Sequence, residues 1–331
     1  MSIPPSDADW LAAAARLGLR GRPVSRPNPS VGAIIVKDGI VIAHGHTQAG
    51  GRPHAEAMAL AQAGEAAIGA TLYCSLEPCA HRSDRGPACS QLIGSSGITR
   101  VVYGLADPDS RTNGEGQSIL RDAGIKAELT DCAACKTSLS GYLMRKTKGR
   151  PHVTIKLAMS LDGFLARPDG ESQWITGANA RAHVHSRRAM ADAILVGGGT
   201  WRADKPRLDV RLPGLESRSP QRILLSRGIA PDGVKVINHP AQISALDGVQ
   251  YLYVEGGAQT AASFLKKGLA DRIEIYRAPI FLGSGITALG DYGLTSLAEA
   301  HEYWQLTERR MLGTDTYEAY DRSEASFNSG N

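Results

Sequence analysis

His54-Ala55-Glu56, Leu76-Glu77-Pro78-Cys79 and Pro87-Ala88-Cys89 follow one another within a short stretch of this chain, and a fold that uses them together must bring one imidazole and two thiols to a point. That donor set suits Zn²⁺ held by three protein ligands with a fourth position left for water, whose pKa falls toward ~7 on the metal. Replacing an aromatic amine by oxygen needs such a hydroxide. It also needs a carboxylate outside the coordination sphere to carry protons from the water to the leaving amine. Glu56, two residues after His54, is the candidate for that role.

The surrounding residues say how the ligands would be held. A helix beginning near Pro53 and running through Ala55-Glu-Ala-Met-Ala-Leu-Ala-Gln-Ala would carry His54 and Glu56 on its first turn, where proline is tolerated. A strand from Ala70 to Leu76 would end at Pro78-Cys79 in a loop that opens a second helix, with both thiolates near its N-terminus. Many zinc deaminases space their cysteines as Cys-x-x-Cys. Here nine residues separate Cys79 from Cys89, which argues against a plain cytidine-type enzyme.

With 331 residues, the chain has room for two domains. The first part alternates helix (Asp9 to Leu17), hairpin (Val31 to Val36, Ile40 to Ala43), helix, strand, helix and strand (Thr99 to Gly104), with a short strand at Ile125 to Leu129. Such alternation implies a sheet with helices on both faces. A basic stretch closing in Gly149-Arg150-Pro151 marks the joint, so the domains are expected at 1–147 and 148–322, with a polar tail at 323–331. The second part restarts with a strand at Pro151 to Ser160 and a helix at Ala178 to Met190. Strands follow at Ala193 to Val196, Arg222 to Leu225 and Tyr251 to Val254, then a helix at Thr260 to Lys267 and a strand at Arg272 to Tyr276.

Neither Gly-x-Gly-x-x-Gly nor a Walker loop occurs in the second part. Two glycine clusters do, at Val196-Gly-Gly-Gly-Thr-Trp and Val254-Glu-Gly-Gly-Ala-Gln-Thr, each between an expected strand and an expected helix. That arrangement lets backbone N–H groups reach a pyrophosphate, although the same glycines could simply reverse the chain.

Asn28-Pro-Ser-Val-Gly-Ala-Ile-Ile-Val-Lys-Asp-Gly, His54-Ala-Glu, Leu76-Glu-Pro-Cys-Ala-His and Ala106-Asp-Pro-Asp resemble the deaminase half of the bifunctional riboflavin-biosynthesis deaminase/reductase family. Lys156-Leu-Ala-Met-Ser-Leu-Asp-Gly, Ser172-Gln-Trp-Ile-Thr, Ile194-Leu-Val-Gly-Gly-Gly-Thr-Trp-Arg-Ala-Asp-Lys-Pro and Val254-Glu-Gly-Gly resemble its reductase half. The resemblance implies an α/β chain in which a cytidine-deaminase-like α/β/α sandwich is followed by a dihydrofolate-reductase-like α/β domain. It also implies Zn²⁺ on His54, Cys79 and Cys89, with NADPH as the second cofactor. The family's segment between the cysteines is one residue shorter, so the loop Ala80 to Ala88 is expected to be remodelled, and the segment between Ser226 and Gln250 is shorter than usual.

Carried over by position, the family's NADP-binding residues fall on Ala158, Trp174, Thr200, Asp204, Gly257, Ala258, Gln259, Thr260, Ala261, Ala262 and Ser263. Its substrate positions fall on Ser172, Arg188, Leu208, Arg211 and Glu255. Arg188 and Arg211 would clamp a ribose phosphate. Trp174 would flank the nicotinamide or pack in the core, and Asp204 and Glu255 would orient ribose hydroxyls or solvate a turn. Lys156 is a candidate proton donor to the sugar by its place beside the nicotinamide, with a snorkelling strand-edge lysine as the alternative. Asn28 would hold the pyrimidine or a nearby loop, or merely start a turn.

The expected substrate is thus a phosphorylated pyrimidine. A net charge of +4 is too small to point to nucleic acid, and the scarcity of aromatics speaks against a nucleic-acid base deaminase. With no secretory signal and no run of ~20 apolar residues, a membrane is not expected and the cytoplasm is the expected compartment. A homo-oligomer is expected. Retention of Asp204, Glu255 and the Gly256-Gly257 pair disfavours a C-terminal half that has lost its chemistry. Five cysteines fit a reducing environment, with Cys74 packing in a strand and Cys132 and Cys135 an incidental pair on a helix.

Overall fold

A computed structural model describes residues 4–81, 85–228, 231–301 and 303–323. Two compact units meet in sequence between Gly149 and Arg150. The last helix of the first unit runs to Lys148 and is closed by Gly149 at φ 69°, which carries the division two residues past the expected 147. Of the expected tail, only Ser323 lies within the described residues.

In the first unit the elements are α1 (Asp7–Gly18), β1 (Gly32–Lys37), β2 (Ile40–His46), α2 (Ala55–Ala63), β3 (Thr71–Cys74), α3 (Cys89–Gly94), β4 (Arg100–Tyr103), α4 (Glu115–Asp122), β5 (Lys126–Leu129), α5 (Ala133–Ser138) and α6 (Ser140–Lys148). The sheet order is β2-β1-β3-β4-β5. β1 runs antiparallel to both of its neighbours, and β3, β4 and β5 are parallel. Alternate residues of β1 serve opposite faces, as strand geometry requires. Ala33 and Ile35 meet Ala55 and Ala59 of α2, Ile93 of α3 and Leu120 of α4. Ile34 and Val36 meet Leu11 and Ala14 of α1. This is the expected α/β/α sandwich. Cys132 and Cys135 lie in the second of these cores, and Cys74 is fully buried in the first.

The second unit contains β6 (His152–Met159), β7 (Phe164–Ala166), α7 (Ala178–Arg188), β8 (Ala193–Gly197), α8 (Gly198–Asp204), β9 (Gln221–Leu225), β10 (Lys235–Ile237), β11 (Tyr251–Val254), α9 (Ala258–Lys266), β12 (Arg272–Arg277), β13 (Ile286–Thr287), β14 (Trp304–Leu312) and β15 (Asp315–Arg322). An eight-stranded sheet has the order β10-β9-β8-β11-β6-β12-β15-β14, with β7 and β13 pairing apart from it. The first six of these strands are parallel, and β15 and β14 add an antiparallel hairpin. That hairpin lay outside the strands read from sequence, although Gly313, with φ 69°, marks its turn. β11 is inserted between β8 and β6, so the two glycine clusters become neighbours at the carboxyl ends of parallel strands, where α/β sheets bind ligands. Among the described residues no helix is long and apolar enough to cross a membrane.

Candidate functional sites

The metal-type cluster forms where α2 and α3 begin. His54 is the N-cap of α2, one position before the helix proper, so Pro53 lies outside the helix rather than at its first position. Glu56 is in the first turn and buried. Cys89 opens α3, and its backbone N–H donates to the Cys79 sulfur at 3.3 Å. The His54 Nδ1 lies 3.5 Å from Cys79 Sγ and 3.4 Å from Cys89 Sγ. Bonds of ~2.3 Å to sulfur and ~2.0 Å to nitrogen at a tetrahedral angle put N and S about 3.5 Å apart, so these donors already stand where Zn²⁺ would hold them. His54, Cys79 and Cys89 are also the metal-type group found among the described residues, their ligand atoms all within 4.8 Å of one another.

The electrostatics make one of the three ligands easy to ionise and leave the other two holding protons that a cation would displace. The Cys89 thiol shares its proton with Cys79, which with the neighbouring imidazole brings the Cys79 pKa down to about 4. The same hydrogen bond, with burial, raises Cys89. Burial opposes the His54 imidazolium, but the bond to Cys79 and the Glu56 charge leave its pKa raised. Burial pushes the Glu56 carboxyl up.

Neighbouring residues fix the loops that carry these ligands. Asn28 Nδ2 donates to the Gly51 carbonyl at 3.0 Å and touches His54 Nε2 at 3.2 Å. Gly51 has φ 85°, and a Cβ there would stand 2.6 Å from Asn28 Cγ, so the close approach needs glycine. Glu77, not singled out from the sequence, is buried and accepts backbone N–H groups from Asp107, Gly114 and Gln117 at 3.2–3.3 Å. It ties the chain just before Cys79 to the start of α4. Gly116 makes room for this, since a Cβ there would fall 2.0 Å from the Pro78 carbonyl oxygen. The middle of the 80–88 loop, residues 82–84, lies outside the described residues.

The second site gathers around Lys156 on β6. Its ammonium is 4.0 Å from Glu255, which follows β11, and burial pushes its pKa down. Arg188, near the end of α7, gives Nε and Nη2 to Glu255 at 2.6 and 2.9 Å and Nη1 to the Asp209 carbonyl at 3.0 Å. Burial would raise the Glu255 pKa, but Arg188 and Lys156 hold it below the ordinary value. Of the two arginines expected to clamp a phosphate, Arg188 is therefore engaged with Glu255, whereas the Arg211 side chain is half exposed. The Arg211 backbone N–H donates to His185 Nδ1. Leu208 is buried, with φ 58°, in the loop that follows α8.

The glycine turns lie beside this cluster. Gly197 caps α8 and Gly257 caps α9, and no side chain caps either helix among the described residues. Gly257 N–H donates to Thr200 Oγ1 at 3.2 Å, which joins the two turns. Cβ atoms at Gly197 and Gly256 would meet Thr260 at 2.2 and 2.4 Å. Two adjoining, uncapped helix starts free of Cβ atoms suit a dinucleotide pyrophosphate. Ser226 and Arg202, not picked out as site residues from the sequence, both lie 3.1 Å from a Cβ built on Gly198. Only their position at strand and helix ends could have pointed to them.

The other expected contacts are distributed unevenly. Ala158 follows Lys156 on β6, half-buried, and Asp204 is exposed at the end of α8. Trp174 is 63% exposed, with Arg181 stacked 4.8 Å from its ring centre, so it does not pack in the core. Ser172 accepts the Ile175 N–H on the same loop. Along α9, Gln259 is exposed and Ser263 half-buried, whereas Ala258, Ala261 and Ala262 are buried, with Ala261 in the core beneath the sheet.

Comparison with known proteins bears on both halves. Residues 5–105 match the cytidine and deoxycytidylate deaminase zinc-binding region, and residues 151–317 match the RibD C-terminal domain. The riboflavin biosynthesis protein RibD of Aquifex aeolicus is 37% identical, covering 89% of this chain and 92% of its own. That of Escherichia coli is 34% identical, covering 93% and 97%. Among solved structures, Acinetobacter baumannii RibD superposes with a TM-score of 0.85 at 32% identity, over 96% of this chain and 99% of that one. A diaminohydroxyphosphoribosylaminopyrimidine deaminase/5-amino-6-(5-phosphoribosylamino)uracil reductase from Thermotoga maritima gives 0.83 at 29% identity with the same coverage. With a zinc-type deaminase site in its first half and a reductase domain in its second, this chain belongs to the RibD family of bifunctional riboflavin-biosynthesis deaminase/reductases.

Proposed function

We propose that the N-terminal site hydrolytically deaminates 2,5-diamino-6-(5-phosphoribosylamino)pyrimidin-4(3H)-one. The C-terminal site then reduces the ribosyl side chain with NADPH, giving 5-amino-6-(5-phosphoribitylamino)uracil. The observation that carries this reading is the convergence of His54, Cys79 and Cys89 at ligand spacing beside buried Glu56.

Held by His54, Cys79 and Cys89, a zinc ion would supply hydroxide chemistry near neutral pH. Glu56 takes the proton of the attacking water and returns it to the departing amine, a task its raised pKa favours. Asn28 holds the His54 loop through Gly51 and lies where it can also meet the edge of the pyrimidine. Cys79, Cys89 and partly buried His54 already stand at ligand spacing, which supports this reading.

In the reductase half, bound NADPH would supply a hydride for ribose C1. The first turn of α9 offers N–H groups to its pyrophosphate, and Thr200 of α8, held by the Gly257 N–H, offers its hydroxyl hydrogen. Lys156 gives a proton to the ring oxygen as the bond from C1 to that oxygen opens, and its lowered pKa suits a donor working near neutrality. Arg188 orients Glu255 toward the ribose hydroxyls, and the more exposed Arg211 meets the phosphate.

Purified zinc-loaded protein given the diaminopyrimidine ribosyl phosphate, with and without NADPH and followed by mass spectrometry, tests both halves. The expected result is exchange of amine for oxygen without NADPH and gain of two hydrogens only when it is present. Deamination with no reduction would overturn the reductase assignment, and no reaction would overturn the substrate.

A further inference from the structure

Among the carboxylates that the reductase half buries, Glu274 on β12 is 0% exposed and is used by none of the steps above. Its position relative to Lys156 is specific. In the parallel pairing of β12 with β6, Glu274 is the register partner of Lys156. On the other side Val254 of β11 pairs with Ile155, so the next residue, Glu255, comes level with Lys156 as well. Neighbouring strands stand about 4.8 Å apart, and register partners project to the same face. Ile155 and Leu157 point into the core under α9, so Lys156 projects to the α7 side. Tyr253 and Tyr276 belong to that side, and by alternation Glu255 and Glu274 join them.

Lys156 therefore stands between two glutamates on one face of the sheet, yet its ammonium pairs with Glu255. The difference lies in what already occupies Glu274. Arg187 places Nε and Nη2 at 2.8 and 2.6 Å from Glu274 Oε1, and Tyr253 donates to Oε2 at 2.9 Å. Arg272 contributes from 3.3 Å, but it also serves Asp321 at 2.7 Å and Glu308 at 3.5 Å. Arg187 is the cation committed to Glu274. Its neighbour Arg188 turns the other way along α7 to Glu255.

We infer that Arg187 is a positioning residue for the reductase: by saturating Glu274 it denies Lys156 a competing carboxylate and keeps that ammonium on Glu255, in the site. Without Arg187, Glu274 would keep only Arg272, shared with Asp321 and Glu308, and its under-compensated charge level with Lys156 would draw the lysine across. This inference rests on the proposed proton-donating role of Lys156.

The test is a double-mutant cycle on the zinc-loaded full chain, reading NADPH-dependent reduction and, as an internal control, deamination. Lys156→Met and Arg187→Met are each expected to lower the kcat of reduction about 10²-fold, the loss of a general acid, with KM little changed. Combined, they are expected to reduce it no further than Lys156→Met alone, since Arg187 acts through Lys156. Losses that multiply would overturn the inference while leaving the role of Lys156 standing. If Lys156→Met reduces substrate at the normal rate, it is the proton-donor reading that fails. Should Arg187→Met not fold, Arg187→Met/Glu274→Gln removes cation and competitor together, and its kcat is expected within about threefold of the parent, a residual coupling of only ~0.7 kcal/mol. A folded double variant as slow as Lys156→Met would overturn the proposal.

Discussion

The two sites are built in different ways. In the first half, the groups that matter come from one stretch between His54 and Cys89, and two helix starts hold them together. In the second half, Lys156, Arg188, Glu255 and the glycine turns come from β6, α7, the end of β11 and the starts of α8 and α9. The first is defined by donor atoms at fixed distances. The second is defined by which strands lie side by side and by which charges are already neutralised. A metal site tolerates few residue types and so leaves a motif, whereas a dinucleotide site relies on backbone N–H groups and leaves mainly glycines.

The largest expected effect would break this contrast most directly. Cys89→Ser should lose zinc and deamination together, lowering deaminase turnover at least ~10³-fold, while reduction of the deaminated substrate continues. Glu56→Gln should keep one zinc per chain and still lose ~10²–10⁴-fold in deamination. Metal analysis beside both activities checks the pair. A Cys89→Ser protein that retains zinc would mean the first site is not defined by these three donors.

The contrast also explains what could be read from the sequence. His54, Glu56, Cys79 and Cys89 were legible because their chemistry restricts both residue type and order, and the α/β/α arrangement followed from alternating patterns. Glu77 was not, because its value lies in three backbone N–H groups contributed by the loop at Asp107 and the start of α4. Arg188 was placed in the second site, but its engagement with Glu255 depends on how α7 lies over β11. Nothing in Arg187-Arg188 reveals that the two side chains serve different glutamates. The insertion of β11 between β8 and β6, which makes neighbours of the two glycine clusters, is a topological fact that local pattern does not contain.

A substitution at Gly256 would sharpen the comparison from the reductase side. A Cβ there would fall 2.4 Å from Cβ and Cγ2 of Thr260, contacts that require the turn to shift. Gly256→Ala is expected to cost ~1–3 kcal/mol through overpacking and to weaken NADPH binding about tenfold or more, with zinc content and deamination unchanged. Titration of NADPH by fluorescence measures the loss of affinity, and a thermal melt the loss of stability. Unaltered NADPH affinity would mean that these glycines only reverse the chain.

The smallest expected effect concerns two carboxylates beside the deaminase site, Asp107 and Asp109, whose environments push in opposite directions. Asp109 accepts Arg111 through Nε and Nη2 at 2.9 and 2.6 Å and Lys146 Nζ at 2.8 Å. The Arg111 hydrogen bonds, followed by Lys146, hold its pKa well below the ordinary carboxylate range. A depressed folded pKa contributes stability that is present above the unfolded value of ~3.9 and is lost as pH falls through the folded one. Asp107 is the reverse case: burial raises its pKa, although Tyr142 donates to it at 2.7 Å. Its ionisation therefore removes stability as pH rises through the acid range. Asp109→Asn is expected to destabilise the deaminase half by roughly 1 kcal/mol near neutrality, limited by the exposure of both cations. That difference should hold from about pH 5 to 8 and shrink below about pH 4, where the parent loses the same charge. Asp107→Asn should show the opposite pH trend, matching the parent most closely in acid. Thermal melts of the two variants across pH check the sign, and parallel pH dependences would mean that Arg111 and Lys146 do not set the charge of this loop.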